Sequence, residues 1–186
     1  PDLTVLMDME PAGAVGQMAE KDRIEQVSGM NPQGVVVSSF KVPSVEELDH
    51  NYLWRYARRL PERGQVGIFN RSYYEEVLVA RVHPEVIANQ RLPARARGPH
   101  LWQHRYEDMV AFERHLVRNG IVVVKFFLHL SREEQRLRFL DRIDTPEKNW
   151  KFSAGDVRER AYWDDYQVAF EEAIRATATE DAPWYV

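Results

Sequence analysis

Four continuous apolar runs, most of them rich in valine, isoleucine and phenylalanine, mark the main buried segments of the chain. They are Leu3–Met7, Val35–Phe40, Val66–Phe69 and Ile121–Leu128. A strand with one solvated face alternates apolar and polar residues, so continuous runs predict strands covered on both faces, as in a parallel sheet. The closing stretch "EDAPWYV" has the pattern of a fifth strand, and we expect the domain to continue beyond Val186.

A helical pattern follows the second run. The stretch "PSVEELDHNYLWRYARRLP" opens with a capping box formed by Ser44 and Glu47, and it ends before Pro61. We predict one helix over this stretch, because a single apolar stripe runs along it at helical spacing. The stripe comprises Leu48, Tyr52, Leu53, Tyr56 and Leu60.

Two more helices are predicted further along the chain. The stretch "GPHLWQHRYEDMVAFERHLVRNG" is amphipathic and closes at an Asn119-Gly120 stop signal. Another helix begins after the fourth run, where Ser131 and Glu134 form a capping box, and it carries "EEQRLRFLDR" through Arg142. Strands that alternate with helices predict one doubly wound α/β domain over residues 1–186.

Composition narrows the class of protein. With 186 residues, 44% hydrophobic and 29% charged, the chain can bury the core of a globular domain. No apolar run is long enough to cross a membrane, and the first residues lack the pattern of a secretory leader. The absence of cysteine excludes disulfides, zinc–thiolate sites and thiol nucleophiles. We therefore expect a cytoplasmic protein without a membrane partner.

The charge balance argues against a nucleic-acid partner. The net charge is −4, whereas general nucleic-acid-binding proteins are usually basic. Arg91, Arg95 and Arg97 lie in a stretch, "RLPARARGP", that we expect to be an exposed loop without the aromatic platform of a single-strand groove. These arginines could instead extend a track for another polyanion. Arginine outnumbers lysine and suits bidentate phosphate binding, although genomic base composition explains that excess equally well.

Ligands bind at the carboxyl ends of the strands in open parallel sheets, so the residues that follow each run are the candidates for chemistry. Phosphoryl transfer needs cations and backbone amides around phosphates, together with carboxylates that hold Mg²⁺. Residues of these types follow the runs: Asp8; Asn70, Arg71, Ser72, Tyr73, Tyr74, Glu75 and Glu76; His129 and Ser131; then Arg138, Arg142, Lys148 and Lys151.

Each candidate also has a plainer interpretation. Asp8 could cap the following helix, and Arg71 could form a surface ion pair of little energetic value. The downstream cations could lie on a solvated helix face or pack around Trp150. The position of the whole set at or near strand ends favours the functional interpretation.

A glycine-containing stretch follows Asp8. A buried strand that runs into a glycine loop and a helix is a common phosphate-binding arrangement, and Gly13 and Gly16 stand in that position. The working form of such a loop ends in Gly-Lys, but neither glycine is followed by lysine. The stretch is therefore a phosphate loop by position and an altered one by residue type.

Four long stretches resemble the polyphosphate kinase 2 family. They are "NPQGVVVSSFKVPSVEELDHNYLWR", "LPERGQVGIFNRSYYEEVLVARVHPE", "RYEDMVAFERHLVRNGIVVVKFFLHLSREEQ" and "DTPEKNWKFSAGD", the last followed by "WDDY" and "APWYV". The resemblance implies a P-loop-kinase-like three-layer α/β/α sandwich with a mostly parallel sheet and a helical lid. It also implies phosphoryl transfer between inorganic polyphosphate and nucleotides such as AMP, ADP and ATP, with Mg²⁺, in a homo-oligomer.

The same resemblance implies roles for individual residues. Asn70 stands where many members have aspartate before Arg-Ser, and Arg71 stands at the phosphate-contacting arginine. The asparagine together with Glu75 resembles the subgroup that phosphorylates AMP as well as ADP. Asp8 opens the family's phosphate loop and would help to hold Mg²⁺. The lid, about residues 138–156, would close over the phosphates with Arg138, Arg142, Lys148 and Lys151.

The phosphate loop is where the chain departs from the family, whose loop reads roughly Asp-Ala-Ala-Gly-Lys-Asp-Gly. In one alignment Gly13 matches the glycine and Ala14 replaces the lysine; in another Lys21 supplies the lysine and Glu20 replaces the glycine. Loss of such a cation typically costs on the order of a hundred- to a thousandfold in rate. Two hypotheses stay open: an active polyphosphate-dependent AMP/ADP phosphotransferase, and a weak or inactive relative that binds polyphosphate or nucleotide.

Overall fold

A five-stranded sheet organises the computed structural model of the protein, and all of its strand pairings are parallel. The structure describes residues 2–8, 34–151 and 153–186, with the backbone alone at residues 2–8, 148 and 151. The strands are β1 (Asp2–Asp8), β2 (Val35–Ser39), β3 (Val66–Asn70), β4 (Ile121–Phe127) and β5 (Trp184–Tyr185). The predicted strands and the α/β class are confirmed: β1 is longer than predicted by one residue at each end, and β2, β3 and β4 differ by one residue at their carboxyl ends.

The strand order β2-β3-β1-β4-β5 places β1 at the centre of the sheet. In the register, Met7 of β1 pairs with Asn70 of β3, and Asp8 pairs with Phe127 of β4. Asn70 is also opposite Ser39 at the end of β2. The carboxyl ends of four strands therefore meet at one edge of the sheet, where parallel α/β folds bind their ligands.

Crossover direction explains where the helices lie. The β2–β3, β3–β4 and β4–β5 connections all step in the same direction across the sheet. Since parallel crossovers are right-handed, these three connections cover the same face. The β1–β2 connection steps the other way and contains residues 9–33, which lie outside the described residues.

Eight α-helices are found in the described ranges, and most are short. They are α1 (Val45–Leu48), α2 (Trp54–Ala57), α3 (Val79–Val82), α4 (Pro84–Asn89), α5 (Leu101–Arg118), α6 (Arg132–Asp144), α7 (Ala154–Glu159) and α8 (Trp163–Thr177). No helix within these ranges is both long enough and apolar enough to span a membrane.

The prediction of one helix between Ser44 and Pro61 was wrong. The capping box is present, since the Ser44 side chain accepts from the Glu47 amide and Glu47 accepts from the Ser44 amide, but α1 ends at Leu48. The side chain of Asn51 accepts from the Leu53 amide at 3.1 Å. Such short-range side-chain bonds compete with helical hydrogen bonds and favour a turn, so the chain breaks before α2.

The two downstream helix predictions are confirmed. Helix α5 ends at Arg118, and Gly120 just beyond has a positive φ of 85°, which a glycine adopts without the steric cost of a Cβ. At the start of α6 the hydroxyl of Ser131 accepts from the amide of Glu134 at 3.0 Å. The expected loop at residues 91–99 is largely exposed and contains a short 3₁₀ turn, Ala94–Ala96.

A buried polar cluster ties the helices to the sheet. Lys125 on β4 and Glu113 on α5 form an ion pair at 2.7 Å, with side chains 0% and 1% exposed. The hydroxyls of Tyr73 and Tyr74 donate to the same oxygen of Glu113 at 2.8 and 2.9 Å, and Lys125 also donates to the Thr177 carbonyl. Burial raises the pKa of Glu113 and lowers that of Lys125, while each charge opposes the shift of the other.

We expect Glu113→Gln to destabilise the fold by about 3 kcal/mol or more, because the charge of Lys125 loses its buried partner. The double variant Glu113→Gln/Lys125→Met should be less destabilised than the sum of the two single variants, since it leaves no unpaired buried charge. Urea unfolding of the four proteins measures this coupling. Additive losses would contradict the interpretation of the cluster as a buried ion pair.

Candidate active site

The turn after β3 presents the residues singled out by sequence. Asn70 is the last residue of β3 and is mostly buried, and Arg71 follows it with a left-handed φ of 60°. The Ser72 hydroxyl then accepts from the Tyr74 amide at 3.2 Å and caps a 3₁₀ helix, Tyr73–Glu76. A left-handed arginine is strained by roughly 1–2 kcal/mol, and such strain persists where the surroundings hold the backbone in place.

Both sides of this turn are anchored to the protein interior. Tyr73 and Tyr74 are held by Glu113 in the cluster described above. Glu76 accepts from the side chain of Gln90 at 2.6 Å and pairs with Arg105 at 3.3 Å, and all three side chains are buried. Burial raises the pKa of Glu76, and the Arg105 guanidinium opposes that rise. Glu75 lies between these anchors, and Arg71 lies between them and the end of β3.

Arg71 and Glu75 form an ion pair in the anchored turn. The Nη1 atom of Arg71 donates to Oε2 of Glu75 at 3.2 Å, and both side chains are partly exposed. Burial raises the pKa of Glu75, whereas the Arg71 charge lowers it and the nearby Glu76 raises it further. A carboxyl whose pKa is shifted by burial and by a specific charged partner in a cleft is a candidate functional group.

Both residues line a cavity of about 460 Å³ beside the carboxyl ends of β2 and β3. Its described lining carries four basic side chains and two carboxylates, namely Lys41, Arg55, Arg71, Arg91, Glu75 and Glu76. Aliphatic residues complete much of the wall, among them Val42, Pro43, Leu48, Val79 and Val86. A cavity with an excess of positive charge and an apolar wall suits an anionic ligand that also has an apolar part.

The end of β1 carries the residue that the sequence analysis linked to a magnesium ion. Asp8 closes β1, and the register places Asn70 opposite the preceding residue, Met7. Mg²⁺ in phosphoryl-transfer sites is held by one or two protein oxygens together with substrate phosphates and water. The residue types fit this ion, although no group of three His, Asp or Glu side chains able to hold a metal occurs among the described residues.

The predicted lid residues lie elsewhere. Arg138, which is 53% exposed, donates to Glu134 at 2.8 Å, and Arg142 lies 3.8 Å from Asp156 with its guanidinium over the Phe139 ring. Neither arginine lines the cavity that contains Arg71 and Glu75. The remaining predicted phosphate ligands are placed only in part: Lys148 and Lys151 belong to a 3₁₀ helix, Pro146–Lys151, and Gly13 and Lys21 lie outside the described residues.

Sequence reasoning missed Arg55 and the Glu76 cluster. Arg55 lies on α2, within the stretch that had been predicted as one continuous helix, and it is buried at the wall of the cavity. A break separates α2 from α1, and the Asp-His-Asn sequence at residues 49–51 was the available signal for it. Arg105 and Gln90 come from distant segments, so no local pattern connects them to Glu76.

Comparison with known proteins decides the family. The sequence model of the family described as Polyphosphate kinase 2 (PPK2) matches residues 4–186. The chain belongs to the polyphosphate kinase 2 family. Among curated polyphosphate kinase 2 relatives, "ADP-polyphosphate phosphotransferase" of Rhodopseudomonas palustris is 52% identical over 184 residues, which cover 98% of this chain and 62% of the relative. "AMP/ADP-polyphosphate phosphotransferase" of Meiothermus ruber is 46% identical, covering 99% and 63% respectively.

A solved polyphosphate kinase 2 structure confirms the expected fold. The crystal structure of Polyphosphate Kinase 2 from Arthrobacter aurescens matches with a TM-score of 0.84 and 38% sequence identity. The match covers 100% of this chain and 60% of that chain. The kinase-like α/β sandwich is therefore confirmed. This chain spans slightly more than three fifths of the length of the curated relatives that it matches.

The left-handed backbone at Arg71 gives a stability prediction. We expect Arg71→Gly to be more stable than Arg71→Ala by about 1 kcal/mol, because both variants lose the same ion pair but glycine adopts the positive φ without a Cβ clash. Urea unfolding of the two variants measures the difference. An alanine variant as stable as the glycine variant would show that the turn does not hold this residue in the left-handed region.

Proposed function

We propose that this chain transfers a phosphoryl group from inorganic polyphosphate to AMP, ADP or both. The observation that carries the proposal is the Arg71–Glu75 pair in a cavity at the carboxyl ends of the strands. The names of the two relatives, ADP-polyphosphate and AMP/ADP-polyphosphate phosphotransferase, support the same chemistry.

In the proposed step, an oxygen of the acceptor's terminal phosphate attacks the terminal phosphorus of polyphosphate in line. A new P–O bond forms, and the bond between that phosphorus and the bridging oxygen of the chain breaks. The electron pair leaves with the shortened polyphosphate, so no covalent enzyme intermediate is needed. Such transfer depends mainly on positioning and on neutralisation of charge in the transition state.

The described residues take distinct roles in this proposal. Arg71 neutralises the transferring group, and Glu75 positions the nucleotide or accepts a proton from it. Arg138 and Arg142, with Lys148 and Lys151, cover the phosphates from the lid. Gly13 and Lys21 are the proposed phosphate ligands of the stretch that follows Asp8.

Mg²⁺ is the proposed cofactor, and Asp8 with Asn70 would hold it. When bound, the ion would supply positive charge that offsets the repulsion between phosphate groups. Asp8 ends the central strand and lies within one residue of the register position of Asn70, which places both residues at the same edge of the sheet. We further propose a cytoplasmic homo-oligomer, on the family resemblance.

A second candidate function is binding of polyphosphate or nucleotide with weak or no turnover. The observation in its favour is the altered loop, in which Ala14 or Glu20 replaces a residue of the family pattern. A glutamate at a phosphate loop adds a negative charge and a side chain where backbone amides should meet phosphate. Turnover distinguishes the two functions directly.

We expect purified protein with Mg²⁺ and long-chain polyphosphate to form ADP and ATP from AMP or ADP. Arg71→Ala should lower kcat/KM about 100- to 1,000-fold while the fold is retained, because the transition state loses a positioned cation. Arg175→Ala is the matched control, since Arg175 forms a comparable ion pair with Glu171 on a helix but is 78% exposed.

Equal activity of wild type and Arg71→Ala would reject the assignment of the β3 turn. Binding of AMP or polyphosphate by a wild-type protein that shows no turnover would establish the second candidate function.

We also expect Glu75→Ala to change the ratio of the kcat/KM values for AMP and ADP by about tenfold. The kcat/KM value for the preferred acceptor should change less than this ratio. The reason is that Glu75 faces the cavity from a fixed turn and so contacts one acceptor more favourably than the other. Steady-state kinetics with both acceptors at saturating polyphosphate measure the ratio. Equal losses with AMP and ADP would count against a selective role.

A further inference from the structure

Arg55 is a buried cation that its own contacts do not fully satisfy. Its side chain is 8% exposed, and Nη2 donates to the Lys41 carbonyl at 2.7 Å. Nε lies 3.3 Å from Oε1 of Glu47 but has no hydrogen-bond partner among the described residues. A buried donor without a partner is costly in free energy, so this guanidinium is suited to a ligand that accepts hydrogen bonds.

Arg55 lies at the candidate active site. It lines the 460 Å³ cavity that also contains Arg71 and Glu75, and two adjoining cavities of about 520 and 280 Å³. Its charge partly opposes the rise that burial causes in the pKa values of Glu75 and Glu76.

The two carboxylates that line the 460 Å³ cavity already form ion pairs with arginines. Glu75 is paired with Arg71, and Glu76 is paired with Arg105 from outside the cavity. Arg55 has its own partner in Glu47, which lies 3.3 Å from Nε, does not line this cavity and accepts no hydrogen bond from Nε. A planar guanidinium binds phosphate well, because its fork matches two phosphate oxygens.

The rest of the wall indicates which phosphate compound fits. The guanidinium of Arg55 lies 5.5 Å from the ring centroid of Phe40 and 5.4 Å from that of Tyr56, so these rings support the arginine. The apolar surface that a ligand could contact is the aliphatic wall formed by Val42, Pro43 and their neighbours. Polyphosphate has no apolar part, whereas a nucleoside monophosphate combines an anion with a flat base.

We propose that Arg55 binds the ribose-linked phosphate of the acceptor nucleotide and thereby makes the cavity selective for nucleotides over nucleosides; this inference rests on the proposed phosphotransferase function. Arg71 at the end of β3 and Arg55 on α2 then approach the acceptor from two different elements. The turn and the helix together define the acceptor site.

The test compares AMP with adenosine, which lacks the phosphate. Binding of each ligand is measured by calorimetry for wild type, Arg55→Met, Arg55→Lys and Arg58→Met. Arg55→Met should weaken AMP binding about 10- to 100-fold, the usual value of hydrogen bonds to a charged group, and should change adenosine binding less than about threefold. Arg55→Lys should show an intermediate loss for AMP, because it keeps the charge but not the fork.

Arg58 is a closely matched control. It belongs to the same segment as Arg55, pairs with Glu46 at 3.9 Å and stacks over Trp54 at 4.4 Å. Its side chain is 56% exposed and does not line the cavity that contains Arg71. Arg58→Met should leave the binding of both ligands unchanged.

Turnover supplies a second readout. With the Arg55 variants the KM for AMP should rise about tenfold or more, while the KM for polyphosphate stays within about twofold of wild type. Should Arg55→Met not fold, Arg55→Lys carries the same comparisons.

Equal weakening of AMP and adenosine, or a rise in both KM values, would overturn the inference and leave Arg55 a purely structural role. Those outcomes leave the proposed function intact. A wild-type protein that neither binds AMP nor transfers phosphate to it would instead remove the proposed function and this inference together.

Discussion

The buried carboxylate of Glu113 is the interaction on which the candidate site depends. It receives two tyrosine hydroxyls from the turn after β3 and the ammonium of Lys125 from the neighbouring part of the sheet. A carboxylate removed from water must be matched by such partners, because an unpaired buried charge is strongly unfavourable. Helix α5, strand β4 and the turn are therefore held in one relative arrangement.

That arrangement explains how a strained turn can be stable. Arg71 has a left-handed backbone between Asn70, at the end of a central pairing of the sheet, and Tyr73, which is fixed by Glu113. Glu76 is held on the other side by Gln90 and Arg105. The residues that anchor the turn are buried, and Arg71 and Glu75, which are partly exposed and line the cavity, take their direction from those anchors.

The cavity and the proposed lid differ in how their charged side chains are paired and exposed. The cavity combines paired charges with an aliphatic wall, so in the proposed function the acceptor would bind to a surface that is already formed. Arg138 on α6 has Glu134 as its partner, and this exposed pair is of the kind that contributes little to stability. Contact between Arg138 and polyphosphate would exchange a carboxylate oxygen for a phosphate oxygen at small cost to the fold.

The sequence by itself determined the strands, helices α5 and α6, and the Asn70-Arg71-Glu75 motif. Continuous apolar runs, helical periodicity and capping residues act over a few neighbouring residues, so they can be read along the chain. The family resemblance then identified the motif and the fold. The altered loop at residues 9–20 departs from the family pattern and lies outside the described residues.

Tertiary structure alone decided which of these residues form a site. The break before α2 placed Arg55 in the cavity wall, and the burial of Glu113 and Glu76 anchored the turn from both sides. The physical reason is that these contacts join segments far apart in sequence: Gln90 and Arg105 meet Glu76, and Glu113 meets Tyr73, across 14 to 40 positions. Desolvation and pairing of charges depend on that packing, and no local pattern specifies them.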